Sequence, residues 1–159
     1  MAKTPAIQAA ERAGVAFEIL EYAHDPSAPS YGLEAAERLG LDPAAVFKTL
    51  LASVDGLPAG LAVAIVPVTA QLDLKALAQA VGGKRAGMAD PRVAERATGY
   101  VVGGISPLGQ KRRLPTVIDE SVLALERVHV SAGRRGLEIA LAPADLVALT
   151  DARLAAIAR

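Results

Sequence analysis

Along residues 46–54, VFKTLLASV, apolar positions run almost unbroken until a single lysine interrupts them. In an extended chain, alternate side chains share a face. Lys48 then aligns with Val46, Leu50, Ala52 and Val54, while Phe47, Thr49, Leu51 and Ser53 take the other side. An ammonium in an apolar row is costly unless it is paired or loses its proton, so this position asks for a reason. Apolar runs at 15–22, 61–66, 100–102, 114–118, 127–131 and 137–141 predict further strands. DGLPAG at 55–60 and AGRRG at 132–136 have the composition of hairpin turns, the first joining the second and third strands and the second joining the last two.

Helices are marked by their starts. Thr4-Pro5 and Asp90-Pro91 each place an oxygen-bearing cap before a proline at the first helical position, predicting helices that end near Gly14 and Gly99. Asp42-Pro43 opens a short turn by the same chemistry. Two more helices are predicted, one over 32–39 before Gly40 and one over 74–81, started by Asp73 and stopped by Gly82-Gly83. Pro143 opens a helical region running towards Ile157. Hairpins imply antiparallel pairing, and a regular strand–helix alternation is absent. The expected fold is α+β: a single domain over 1–159, with a mixed, mostly antiparallel sheet and surrounding helices. Partial closure of the sheet into a barrel would remove exposed edges.

Composition narrows the function classes. A chain of 159 residues is long enough for one core. No cysteine is present, which excludes disulfides, thiolate catalysis and zinc–thiolate sites and fits a reducing cytoplasm. His24 and His129 are the only histidines, too few for a histidine-built metal site. No apolar run is long enough to span a bilayer, and the N-terminus lacks the apolar core of a signal peptide. Net charge is zero, yet 7 of the 17 Lys and Arg cluster at Lys84-Arg85, Lys111-Arg112-Arg113 and Arg134-Arg135. Such clusters are either local anion sites or solvated turns.

Four stretches carry candidate chemistry. Lys48 is a partly desolvated amine at a pocket wall, or a strand-edge lysine whose head reaches water. Thr49 points the other way in a regular strand and contributes only through its backbone or a bulge. GYVVGGISPLGQKRRLP at 99–115 runs into Gly103-Gly104, Ile105 and Ser106. Paired glycines let backbone N–H groups approach a phosphate or an oxyanion closely, although no nucleotide-binding spacing is present. In VHVSAGRRGLEIAL at 128–141, Ser131 ends one strand, and Glu138 is either a partner for Lys48 or a solvent-facing residue. The loop EYAHDPSAPSYG at 21–32 offers Tyr22, His24, Asp25 and Tyr31. His24-Asp25 is too little for a catalytic pair, and no serine elbow or HExxH motif appears.

Taken together, VFKTLL, PVTAQLDLKALA, MADPRVAERATGYVVGGISPLGQKRRLPTVID and VSAGRRGLEIAL resemble the YbaK/EbsC family, the prolyl-tRNA-synthetase-associated editing domain, in order and over nearly the whole chain. The resemblance is strongest to its free-standing Cys-tRNA(Pro) deacylases. It implies a cytoplasmic trans-editing hydrolase that needs no cofactor or metal. Its substrate would be Cys-tRNA(Pro), with Cys-tRNA(Cys) as a further substrate, and its transient partner prolyl-tRNA synthetase. Selecting proline over the similarly sized cysteine is a weak discrimination, so a second enzyme must cleave the wrong ester. The family's lysine falls on Lys48, with Thr49 beside it. Its GGISP segment falls on residues 103–107, so that Gly103, Gly104, Ile105 and Ser106 face the ester and the terminal adenosine. Its small-residue turn falls on Ser131, Ala132 and Gly133, and its early-loop tyrosine on Tyr22. Two positions depart from the pattern: Tyr31 stands where phenylalanine is usual, and Glu138 where aspartate is usual. With no enzyme thiol and no visible base–nucleophile pair, the attacking group is water or the substrate's own thiol. The basic clusters then read as tRNA-backbone contacts. Rival readings are a deacylase for another small ester such as Ala-tRNA(Pro), a non-catalytic aminoacyl-tRNA-binding module, and a pyridoxal-phosphate enzyme with Lys48 as its Schiff base.

Overall fold

The computed structural model describes residues 3–28 and 30–159. Met1, Ala2 and Pro29 lie outside the described residues, and with them the first residues of the N-terminal stretch and one position of the 21–32 loop.

The chain begins with helix α1 (Pro5–Ala13), capped by the Thr4 hydroxyl, which accepts the Ile7 N–H at 3.2 Å. Gly14 ends it in the left-handed conformation, φ 70°. Strand β1 (Phe17–Glu21) and helix α2 (Tyr31–Leu39, capped by Ser30) follow. A single 3₁₀ turn (Pro43–Ala45) then leads into the hairpin of β2 (Phe47–Asp55) and β3 (Leu61–Pro67). Next come α3 (Leu74–Ala80), β4 (Arg85–Met88), α4 (Pro91–Thr98) and β5 (Thr116–Asp119). A 3₁₀ segment (Glu120–Ala124), the hairpin of β6 (Val128–Arg134) and β7 (Leu137–Leu141), α5 (Pro143–Thr150) and β8 (Arg153–Ala155) complete the chain.

The strands form two sheets. One is antiparallel, in the order β1-β7-β6. The other runs β4-β2-β3-β5-β8, antiparallel on the β2 side and parallel between β3, β5 and β8. The expected partly closed barrel is not formed. The sheets meet at one edge through a single bridge between Val46 and His129. Between them lies the main core, where Phe47, Leu51, Val63 and Ile65 face Val130, Ile139 and Leu141, closed by α1. The outer face of the larger sheet carries a second core, in which Ala52, Val54, Ala64 and Val66 pack under Leu77 and Ile157. This explains why every residue of β3 is buried: it is covered on both faces.

Two expectations fail, and one strand was not expected. Residues 100–102 are not a strand. Gly104 N–H closes a turn onto Val101 C=O, and Tyr100 points inward to donate its hydroxyl to Leu108 C=O at 2.6 Å. The last helix stops at Thr150 because Asp151 takes a left-handed conformation, φ 51°, and β8 follows. Strand β4, RAGM, has no apolar alternation to betray it. It is an edge strand whose pairing with β2 comes from main-chain contacts.

Candidate active site

The cleft follows from how β2 is flanked. On one side β3 pairs with it from Phe47 to Ser53. On the other, β6 bridges it at Val46, and β4 pairs only with residues 52–55. The Ala89 N–H donates to Leu51 C=O and the Lys84 N–H to Asp55 C=O, so the odd-numbered peptide groups of β2 face this second edge. Thr49 shares that parity and sits in the gap between the two partial neighbours. A strand edge left open in this way offers a donor and an acceptor to anything that enters.

A cleft of about 610 Å³ occupies the gap, within the range of small-molecule sites. Its walls include β2 from Phe47 to Leu51, Tyr22 at the end of β1, Tyr31 and Gly32 at the start of α2, Val102, Gly103 and Ile105, and Ser131 and Glu138 on the smaller sheet. Lys48 and Thr49 both reach it despite lying on opposite strand faces, because the cleft wraps around the open edge. Lys48 stands where the outer core ends. It is half-buried, and loss of water pushes its amine below the usual lysine range. The Thr49 hydroxyl is buried with no hydrogen-bond partner among the described residues.

Glu138 is neither solvent-facing nor paired with Lys48. It is 6% exposed, and no cation lies within ion-pair distance of it among the described residues. Burial pushes its carboxyl up to about 8, so the neutral acid predominates near pH 7. Tyr22 is raised by its own burial first and then by the nearby Glu138 charge.

The glycine pair divides its duties. Gly103 occupies a positive-φ position (91°) in the turn closed by Gly104, a place glycine takes without strain. The Gly104 N–H is spent on Val101, whereas the Gly103 N–H has no partner among the described residues; Gly103 is part of the cleft wall. A Cβ on Gly104 would lie 2.7 Å from the Arg134 Cα, so this glycine admits the β6–β7 turn rather than a ligand. Ser106 is fully buried and accepts the Leu108 N–H, and Gly133 packs against Tyr100 and Thr4. Neither Ser106, Gly104 nor Gly133 lines the cleft, contrary to expectation; Ile105 and Ser131 do.

Two further groups fix the cleft's mouth. His24 Nδ1 lies 2.7 Å from Glu34 Oε1, and the Asp25 N–H donates to Oε2 at 2.7 Å, which ties the tyrosine-bearing loop to α2. Burial raises the Glu34 carboxyl, but these contacts outweigh it and the group ends below its usual value. Arg135 was expected among the tRNA contacts. Its guanidinium instead donates twice to Val102 C=O and lies 4.5 Å from the centre of the Tyr31 ring. This clip is not legible along the chain, because its partners are a carbonyl and a ring distant in sequence. Lys84, Arg85, Lys111, Arg112, Arg113 and Arg134 are exposed. The cleft's apolar walls at Met88, Ala89 and Ala94 also escaped the sequence reading. Among the described residues no helix is long and apolar enough to cross a membrane, and no three acidic, histidine or cysteine side chains gather as a metal site.

Known proteins share this fold. The family model described as the aminoacyl-tRNA editing domain matches residues 25–149. An Enterococcus faecalis protein named as the Cys-tRNA(Pro)/Cys-tRNA(Cys) deacylase EbsC is 37% identical over 155 residues, covering 98% of this chain and 93% of that protein. A crystal structure described as a trans-editing enzyme for prolyl tRNA synthetase superposes with a TM-score of 0.83 at 26% identity, covering 98% of this chain and 95% of the other. The structure of the hypothetical protein APE2540 superposes at 0.84 with 23% identity over 98% of this chain and 100% of its own, a likeness of fold alone. The chain belongs to the aminoacyl-tRNA editing domain family, the YbaK/EbsC family that its sequence resembles.

Proposed function

We propose that the protein is an aminoacyl-tRNA deacylase that removes cysteine from Cys-tRNA(Pro), and from Cys-tRNA(Cys), working transiently beside prolyl-tRNA synthetase. The observation that carries this is the cleft itself: a desolvated lysine, Thr49 and Gly103 line it beside a buried carboxyl. Among the described residues the Thr49 hydroxyl and the Gly103 N–H have no partner, and the walls hold no serine–histidine or other nucleophile–base pair. Such a site binds and polarises an ester but lacks a nucleophile of its own. The 37% identical EbsC relative supports cysteine as the aminoacyl group.

On this reading Lys48 holds the phosphate of the terminal nucleotide or the ester carbonyl. The Gly103 and Thr49 N–H groups face the developing oxyanion. Glu138, neutral in the empty cleft, ionises when the ester's α-ammonium enters beside it, because a fixed cation favours the charged form. The substrate thiol then attacks the carbonyl carbon. The ester C–O bond breaks, the tRNA hydroxyl leaves with the thiol proton, and the cysteinyl group departs as a thiolactone that water opens. A second course is favoured by the raised Glu138 carboxyl, which is tuned for proton transfer near neutrality. There Glu138, in its ionised form, takes a proton from water attacking the carbonyl carbon and passes it to the departing tRNA hydroxyl as the ester C–O bond breaks.

Release of labelled cysteine from Cys-tRNA(Pro) tests the proposal, with Ser-tRNA and Ala-tRNA(Pro) in parallel. Wild type is expected to release cysteine and spare serine, and Lys48→Ala to lose at least about 100-fold, the scale of removing one transition-state donor. Comparable cleavage of the serine ester would replace thiol attack by the water course. A preference for alanine would make the protein an Ala-tRNA(Pro) deacylase. No cleavage by folded protein would leave a binding module.

A further inference from the structure

A second hollow, of about 230 Å³, borders the chain segment that walls the cleft. Arg12, near the end of α1, meets Arg112 and Arg113 there, together with Gln110 and Thr116. No Asp or Glu lines it. Among the described residues none of the three guanidinium groups forms an ion pair or donates a side-chain hydrogen bond. Glu11, the acid next to Arg12, is already held by Lys3 at 2.8 Å. The loop that carries the other two is fixed: the Lys111 N–H donates to Thr98 C=O at 3.0 Å and the Arg112 N–H to Ala97 C=O at 3.1 Å. Gln110 is held in turn, its side-chain amide donating to Ser106 C=O at 3.0 Å.

Three like charges brought to one concavity by two separate elements repel one another, and among the described residues no acid pairs with them. A bound anion relieves that repulsion. Arginine forks suit the oxygens of a phosphate, to which they donate in pairs. The hollow, at about 230 Å³, has room for a phosphate. Its wall at Pro107 and Gly109 continues the loop whose Gly103 lines the cleft. Six residues of extended chain reach at most about 20 Å, so a nucleic acid whose end lies in the cleft would carry backbone phosphates within reach of the hollow.

We infer that Arg12, Arg112 and Arg113 form a phosphate-binding hollow that takes a backbone phosphodiester of the tRNA. The choice of tRNA rests on the deacylase reading; the site's preference for a phosphate does not. A free phosphate or small phosphorylated molecule would present the same chemistry, and the test separates the two.

Binding of an uncharged tRNA(Pro) transcript is measured by anisotropy between about 50 and 200 mM salt, for wild type and for the triple variant Arg12→Gln, Arg112→Gln, Arg113→Gln. All three side chains are at the surface, and circular dichroism checks the fold. One lost phosphate contact is expected to lower the slope of log K against log salt by about 1. The KM for Cys-tRNA(Pro) should rise about 10-fold, while cleavage of cysteinyl-adenosine, which has no acceptor-stem phosphate, proceeds at the wild-type rate. An unchanged slope and an unchanged KM overturn the inference. Inorganic phosphate that stabilises wild type but not the variant, with tRNA binding the same in both, assigns the hollow to a small phosphate and overturns the tRNA part. If no ester is cleaved by wild type, the deacylase reading fails, and the salt slope still decides the hollow.

Discussion

Glu138 carries a large electrostatic cost in the cleft. Its carboxyl rises to about 8 through burial alone, against the ordinary glutamate value of about 4.3. The folded protein therefore holds this proton more tightly than the unfolded chain does. Stability from this group is fully present below the unfolded pKa and is lost as pH climbs from there through 8, by up to about 5 kcal/mol. Glu138→Gln keeps the shape and cannot ionise. Urea unfolding at pH 6 and pH 9 should find wild type markedly weaker at the higher pH and the variant nearly level between the two. A wild-type protein equally stable at both pH values would mean that Glu138 is charged and stabilised by something that holds it. Lys48, on the other wall, is shifted the opposite way by the same loss of water. Its presence in an apolar row could be read from the chain, because a lysine at alternate spacing with Val46 and Leu50 breaks a pattern. Which role Glu138 takes could not be read, because burial across the Ser131 and Leu20 pairing is set by the sheet and not by its neighbours in sequence.

At the scale of elements, the site depends on segments that share no hydrogen-bond ladder being held in register. The Arg135 clip joins the β6–β7 turn to the Val102 carbonyl and to Tyr31, and through them to Gly103. Arg135→Ala releases the loop whose Gly103 lines the cleft. The expected result is a fall in kcat of about 10-fold with little change in KM, and an unfolding midpoint within about 1 kcal/mol of wild type, since the contacts are surface ones. Arg135→Lys should rescue poorly, because an ammonium cannot both fork onto a carbonyl and lie flat on a ring. Parallel losses of kcat and stability would show a merely structural role. Helices and hairpins were legible in the chain because caps, prolines and paired turns are local: Thr4-Pro5, Asp90-Pro91 and the 55–60 turn all stand where their chemistry puts them. What escaped depends on distant partners. Strand β4 exists because β2 offers it an edge, residues 100–102 bend because Tyr100 reaches Leu108, and the gap at Thr49 is defined by where β4 and β6 end.

Across the whole molecule, one core lies between the sheets and faces the cleft, and a second lies outside the larger sheet, away from it. The second is closed by the chain's last residues. Ile157 is fully buried there, a contribution of about 1.5–3 kcal/mol. Gln71 and Arg159 exchange backbone bonds, and the Asp119 carboxylate accepts the Ile157 and Ala158 N–H groups at 3.0 Å each. Burial raises the Asp119 carboxyl, but the Ser121, Ala158 and Ile157 donors outweigh it and hold the group below its usual value. Its stabilisation is therefore present above the unfolded pKa and is lost as pH falls through the depressed one. Asp119→Ala leaves the buried Ile157 N–H, the half-buried Ala158 N–H and the Ser121 N–H without this acceptor, a cost of about 2–4 kcal/mol. Because Asp119 touches neither the cleft nor the arginine hollow, the folded variant should cleave Cys-tRNA(Pro) with wild-type kcat and KM while its urea midpoint drops, and that drop should shrink towards pH 3. A variant that lost activity at full stability would mean that the outer core and the cleft are coupled, through β2, β3 and β5, the strands that both cores share.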